Sequence, residues 1–173
     1  MAGKRVFTVP SLPIGAGVAA NVAPASGAYM ALQGGAATQL VNVVEIEVGG
    51  QGSTSAPAIL LFGRVQAIHT GAATALAAPN ADGLLHPSGS ASATPAVDLI
   101  AAATTQPTSN NAATNAILTL VMNGFGGVLR WVAAPGAEYG ILGNTAPLGE
   151  AMLWAFTGST AQNVSAHIIY EPF

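Results

Sequence analysis

Hydrophobic and polar positions along this chain alternate in short runs, and turn residues cut the runs apart. Leu40 to Val48 (LVNVVEIEV) carries the clearest strand pattern. A regular pleat there sends Leu40, Asn42, Val44, Ile46 and Val48 to one face. Val41, Val43, Glu45 and Glu47 then go to the other. Further strands are predicted over 27–33, 58–67, 116–122, 127–134, 138–142, 148–157 and 162–171. Gly63 within 58–67 predicts a bulge or a close backbone approach. In 127–134, residues 129, 131 and 133 share a face. In 148–157, Met152, Trp154 and Phe156 share a face and read as core. In 162–171, Val164, Ala166, Ile168 and Tyr170 oppose Ser165, His167, Ile169 and Glu171. The Gly49–Ser53 run, Asn123-Gly124 and Pro135-Gly136 supply turns.

Helical periodicity is weak throughout, and no crossover helices separate the strands, which excludes parallel βαβ units. The pattern predicts an all-β fold, an antiparallel β-sandwich or barrel. Residues 1–26 read as an extended, proline-interrupted N-terminal arm, and 27–173 as the β-sandwich domain. Residues 70–115 are rich in Ala, Thr, Ser, Asn, Gly and Pro. They read as a long projecting excursion holding one or two short strands, or a short helical turn near 96–102.

Composition sharpens the picture. The chain has 173 residues, with 51% apolar and 6% charged, against about 25% charged in ordinary soluble domains. Four basic residues, Lys4, Arg5, Arg64 and Arg130, against seven acidic ones leave a net charge of −3. That excludes a nucleic-acid partner, which demands a basic stripe to displace phosphate counterions. There is no cysteine, so thiolate zinc sites, disulfides and cysteine nucleophiles are excluded. Mean hydropathy is +0.52, yet no apolar run is long enough to span a bilayer as a helix. The richest stretch, 14–32, is mostly Ala and Gly and is broken by Asn21, Pro24 and Ser26. Lys4 and Arg5 ahead of an apolar stretch imitate a secretory signal, but Pro10 and Pro13 interrupt the segment that would be helical.

Motifs for chemistry are thin. Gly15-Ala16-Gly17-Val18-Ala19-Ala20 has dinucleotide-turn spacing, but Pro13 and Pro24 flank it and the first acid is Glu45. The glycine run at 49–52 lacks the lysine of a phosphate loop. His69, His86 and His167 have no metal-ligand spacing. No G-x-S-x-G elbow fixes a nucleophile among the many serines. Glu45 and Glu47, two apart on a strand, stand roughly 7 Å apart by strand rise, a distance that suits paired carboxylates. A solvated or interface face is the plainer reading. Asn163-Val164-Ser165 is a glycosylation sequon. The expectation is therefore no enzyme, no cofactor and no metal. Charge this sparse points instead to a surface hidden in permanent contacts, as in obligate interfaces.

The segments VNVVEIEVGGQGS, ILLFGRVQA, LRWVAAPGAEYGI and NVSAHIIYE resemble small virion structural proteins of tailed bacteriophages, of the capsid decoration (cement) type. Arg130 to Gly136 is the most specific piece. The resemblance implies a jelly-roll-like β-sandwich, assembled as a homotrimer on the phage head and bound to the major capsid protein. The sequence departs from the pattern of those proteins in its longer N-terminal arm and in Pro172-Phe173 after Glu171. Candidate interface residues are accordingly Lys4, Arg5, Val6 and Phe7 in the arm, and Tyr170, Pro172 and Phe173 at the other end. The alternative is a tail, fibre or spike head domain that binds a host receptor or glycan. A cupin-type module would need clustered His and carboxylates, which the sequence lacks.

Overall fold

The computed structural model describes residues 7–10, 28–64, 68, 72–75, 96–102, 116–145, 148–155 and 164–173. These hold eleven strands and no helix: β1 (Phe7–Pro10), β2 (Ala28–Gln33), β3 (Leu40–Gln51), β4 (Pro57–Arg64), β5 (Ala72–Ala75), β6 (Ala96–Ala102), β7 (Ala116–Asn123), β8 (Phe125–Val132), β9 (Tyr139–Leu142), β10 (Glu150–Ala155) and β11 (Val164–Pro172). One sheet has the order β1-β11-β3-β8, with β9 also on β3. The other has the order β5-β6-β2-β10-β4-β7. Every pairing is antiparallel. Inward side chains of both sheets merge into one apolar core, including Leu32, Phe62 and Leu153 from one sheet and Val43, Ile46 and Ile168 from the other. The architecture is thus a β-sandwich, its two apolar faces removed from water against each other.

Two strands depart from a regular pleat, and each departure has a cause. In β3, the pairing with β11 jumps from Glu45↔Ile169 to Val43↔Tyr170, which leaves Val44 as an extra residue. Such a bulge reverses the facing of everything beyond it. Val41, Val43, Ile46 and Val48 are therefore buried in the core, whereas Asn42, Val44 and Glu47 are only half-buried. The regular alternation expected for 40–48 is corrected accordingly. In β10, Ala151 and Leu153 face the other sheet, while Met152 and Trp154 lie on the far side of their own sheet. All four are buried, so hydrophobicity alone did not distinguish the faces. Phe156 lies outside the described residues. At Gly63, the expected place of a bulge or close approach, the register shifts between Phe62 and Gly63, but the extra residue is Ile117 of the facing β7 strand.

The excursion is partly built into the sandwich. Residues 96–102 form a strand rather than a helical turn, and β6 pairs with both β2 and β5. In the segment expected as an extended arm, Phe7–Pro10 pairs with His167–Tyr170 of the same chain. The rest of residues 1–26, including the Gly15–Ala20 motif, lies outside the described residues.

A bulge in β2 aims Tyr29 across the sandwich. Leu153 pairs with Met30 and Trp154 with Ala28, so Tyr29 is the extra residue. Its hydroxyl donates to the Val164 carbonyl at 2.7 Å in the buried interior. Tyr29→Phe is expected to cost about 1 kcal/mol, the usual net worth of a buried hydrogen bond, measurable as a lower urea midpoint at constant m-value. An unchanged midpoint would mean that the bond adds nothing over solvent.

Candidate interface surfaces

The outward face of the β1-β11-β3-β8 sheet is laid out by register. Ser165, Gly49 and Val128 make one row across β11, β3 and β8. His167, Glu47 and Arg130 make the next, and Ile169, Glu45 and Val132 the third. The chemistry-bearing side chains of this face are therefore framed by valine and isoleucine. Arg130 lies opposite Glu47, yet its guanidinium reaches diagonally to Glu45. Nε donates to Oε1 at 2.6 Å and Nη2 to Oε2 at 2.7 Å, a bidentate pair. The Arg130 hydrogen bonds hold the Glu45 carboxyl below its ordinary range, against the opposing effect of burial. Glu45 is thus kept as an ionised acceptor and not as a proton donor. The two carboxylates do share a face as expected, but one of them is taken up by arginine.

The sign of the pH effect follows from that lowered value. The pair stabilises the fold above the ordinary carboxylate pKa, and this contribution fades as pH falls through the lowered one. Glu45→Gln is expected to flatten the acid limb of a melting-temperature against pH profile. Equal acid limbs in the two proteins would show that the pair is energetically silent. The effect is modest, since the side chain of Arg130 is 60% exposed.

Arg64, at the end of β4, is also engaged within the chain. Its Nε donates to the Gly140 carbonyl at 2.8 Å, and its backbone N–H donates to the Tyr139 hydroxyl at 2.6 Å. The guanidinium carbon lies 4.8 Å from the Tyr139 ring centroid, a cation–π distance. The Tyr139 ring meets Phe62 edge-on at 5.4 Å. Burial pushes the Tyr139 phenol up. Arg64 thus ties β4 to β9 of the other sheet, whereas Arg130 ties β8 to β3 within one sheet.

The glycine and proline motifs are structural as well. A Cβ at Gly50 would lie 2.7 Å from the Asn123 carbonyl oxygen, and Gly52 N–H donates to the Gly124 carbonyl at 2.7 Å. The run at 49–52 therefore packs backbone to backbone on the β7–β8 turn. Pro135-Gly136 forms the middle of a β-turn, closed by Ala137 N–H donating to the Ala134 carbonyl at 2.8 Å, with Gly136 at φ 82°. That is type II turn chemistry. The turn loops out between β8 and β9, which lie end to end along the same edge of β3.

Among the described residues, the exposed large apolar side chains fall in two places. Ile117, Val121, Phe125, Val128 and Val132 belong to β7 and β8, and Leu40, Leu142, Leu148 and Phe173 gather at the opposite end of β3. In the second group Leu40 pairs with Leu142 across β3 and β9. Phe173 N–H donates to the Leu40 carbonyl at 2.8 Å, and Leu142 N–H to the Leu148 carbonyl at 2.9 Å. Four exposed side chains thus stand side by side.

Of the candidate interface residues, Phe173 is exposed and belongs to this end group. Tyr170 is fully buried in the core, where burial pushes its phenol up, and Pro172 is buried. Neither has surface to offer a neighbour. Phe7 begins β1 opposite Tyr170. Lys4, Arg5 and Val6 lie outside the described residues, as do His69 and His86. Leu40, Leu142, Leu148 and the β7–β8 residues escaped the sequence reading. Their runs are apolar at both parities, so period alone did not say which side faces water. Among the described residues, no three His, Asp or Glu side chains cluster to hold a metal ion, and no helix is long and apolar enough to cross a membrane.

No protein-family model matches the chain, and a comparison with curated proteins gives no match.

Proposed function

We propose that this protein is a structural subunit of a tailed-phage particle that seats on the assembled capsid lattice and stabilises it. The observation that carries the reading is a chain almost without charge in which the exposed large apolar side chains, among the described residues, are segregated into two groups. Charge depletion with clustered apolar anchors is the composition of a contact surface, not of a freely dissolved domain. The strand order gives further support. β1-β11-β3-β8 against β2-β10-β4-β7, with β5 and β6 added beyond β2, is read here as a jelly roll, an arrangement common in viral capsid proteins and lectins.

In this reading Leu40, Leu142, Leu148 and Phe173 form the anchor on the major capsid protein. The mechanism is mass action: a subunit that binds the finished lattice but not free capsid protein stabilises the lattice by its binding free energy. Four side chains offer far less than the ~800 Å² per partner of a standard interface. Firm seating accordingly comes from several subunits linked together, each raising the effective concentration of the next.

The test is stoichiometry and heat resistance of purified particles. Hundreds of copies per particle are expected, and heads lacking the protein should release DNA at a lower temperature. Leu142→Asp should reduce occupancy on heads while leaving the isolated protein folded. A handful of copies would instead indicate a tail, fibre or spike component, and equally robust heads would rule out cementing.

A further inference from the structure

We infer that β8 is a self-association edge, to which a second copy of this chain adds its own β8 antiparallel about a two-fold axis. β8 is an outer strand of its sheet, and from Val128 to Val132, where it pairs with β3 in unbroken register, its exposure alternates. Val128 and Val132 are 69% and 50% exposed, so none of the described residues covers them. The direction of the backbone groups follows from one bond. Ala133 N–H donates to the Val44 carbonyl at 2.8 Å, which makes residues 129, 131 and 133 the ones bonded to β3. Antiparallel pairing alternates bonded and non-bonded positions, so Val128, Arg130 and Val132 turn their N–H and C=O groups to the open edge.

An unprotected edge of this kind is a template for strand addition, and chains usually block it with lysine, proline or a short strand. The edges at β1 and β5 differ. β1 and β5 have 4 residues each, and β1 contains Pro10. β8 has 8 residues, FGGVLRWV, with no proline and no lysine. β7, its hairpin partner, edges the other sheet on the same flank and exposes Ile117 and Val121.

Charge and register select a second copy as the occupant. The one ionic group of β8, Arg130, is already neutralised by Glu45 within the chain, so the edge holds no net charge to recruit an acidic or basic partner. Two β8 strands paired in an even register keep outward residues beside outward ones and continue both faces of the sheet. The register that sets Arg130 against Arg130 is disfavoured, since like charges directly opposite repel. Registers that set Arg130 opposite the second copy's Val128 or Val132 carry no such conflict. Added to the pairing, Ile117 and Val121 on β7 supply apolar area beyond the strand itself.

The inference stands whether or not the protein sits on a capsid, and it differs from the trimer that the phage resemblance implies. Sedimentation equilibrium of the full chain, from low micromolar to several hundred micromolar, is expected to show a reversible dimer. Val128→Pro deletes an N–H that faces the open edge and spares the bonds to β3, a placement proline tolerates. Val132→Lys puts a charge on the same edge. Each is expected to weaken dimerisation by about tenfold or more, with unchanged far-ultraviolet circular dichroism. A wild-type monomer throughout, a trimer, or a dimer insensitive to both substitutions overturns the inference.

Discussion

Truncation of Leu153 to alanine is expected to destabilise the protein by about 3 kcal/mol, within the range for buried leucines. Leu153 is fully buried in β10, where it faces Met30 on β2 and Phe62 on β4. β10 lies between those two strands, so the cavity opens in the middle of the sheet, where hydrogen-bonded neighbours on both sides resist collapse. For a chain of this length the loss corresponds to a melting temperature lower by about 6–12 °C. Urea unfolding checks it as a reduced midpoint at constant slope. Met152→Ala makes the comparison on the opposite face of the same strand. A loss at Leu153 under about 1 kcal/mol would mean that the two sheets do not pack closely there.

Gly143→Ala is expected to cost a similar amount, about 3 kcal/mol, by another route. Gly143 has φ 79°, a left-handed conformation that costs a side-chain-bearing residue about 1–3 kcal/mol. A Cβ there would also lie 2.6 Å from the Ala37 carbonyl oxygen, which is backbone and cannot swing aside. The same crossing is tight from the other strand, since a Cβ on Gly34 would collide with the Gly143 carbonyl. Gly143 N–H donates to the Gln39 carbonyl at 2.7 Å, so a shift there would also disturb the neighbouring Leu40–Leu142 pair. Gly136 separates the two causes. It has φ 82° but nothing within 4 Å of its Cβ position, so Gly136→Ala should cost only the conformational strain, about 1 kcal/mol. Equal losses at the two glycines in urea unfolding would show that the close approach adds nothing.

The all-β class, the antiparallel pairing and most strand positions are legible in the residues themselves. Short apolar runs separated by Asn-Gly, Pro-Gly and glycine clusters leave no room for amphipathic helices, and turn chemistry is local. Pro135-Gly136 forms its turn because proline and glycine favour the two successive conformations that the turn requires. The inward set on β11, Val164 to Tyr170, follows the same short-range logic, since its alternation runs unbroken through Tyr170.

Facing and exposure are different. One extra residue at Val44 reverses which half of β3 meets the core, and nothing local to VNVVEIEV announces it. The bulge is defined only against Ile169 and Tyr170, more than a hundred positions away. Tyr170 looked like a terminal contact and is core, because β11 lies between β1 and β3 instead of at an edge. Leu40, Leu142, Leu148 and Phe173 look like ordinary strand leucines and a chain-end aromatic until three strands bring them together. The amino-acid order by itself determined the kind of structure, through propensities and periods that act over a few residues. Only the tertiary structure decided which apolar side chains are left for a partner, because exposure depends on what distant strands already cover.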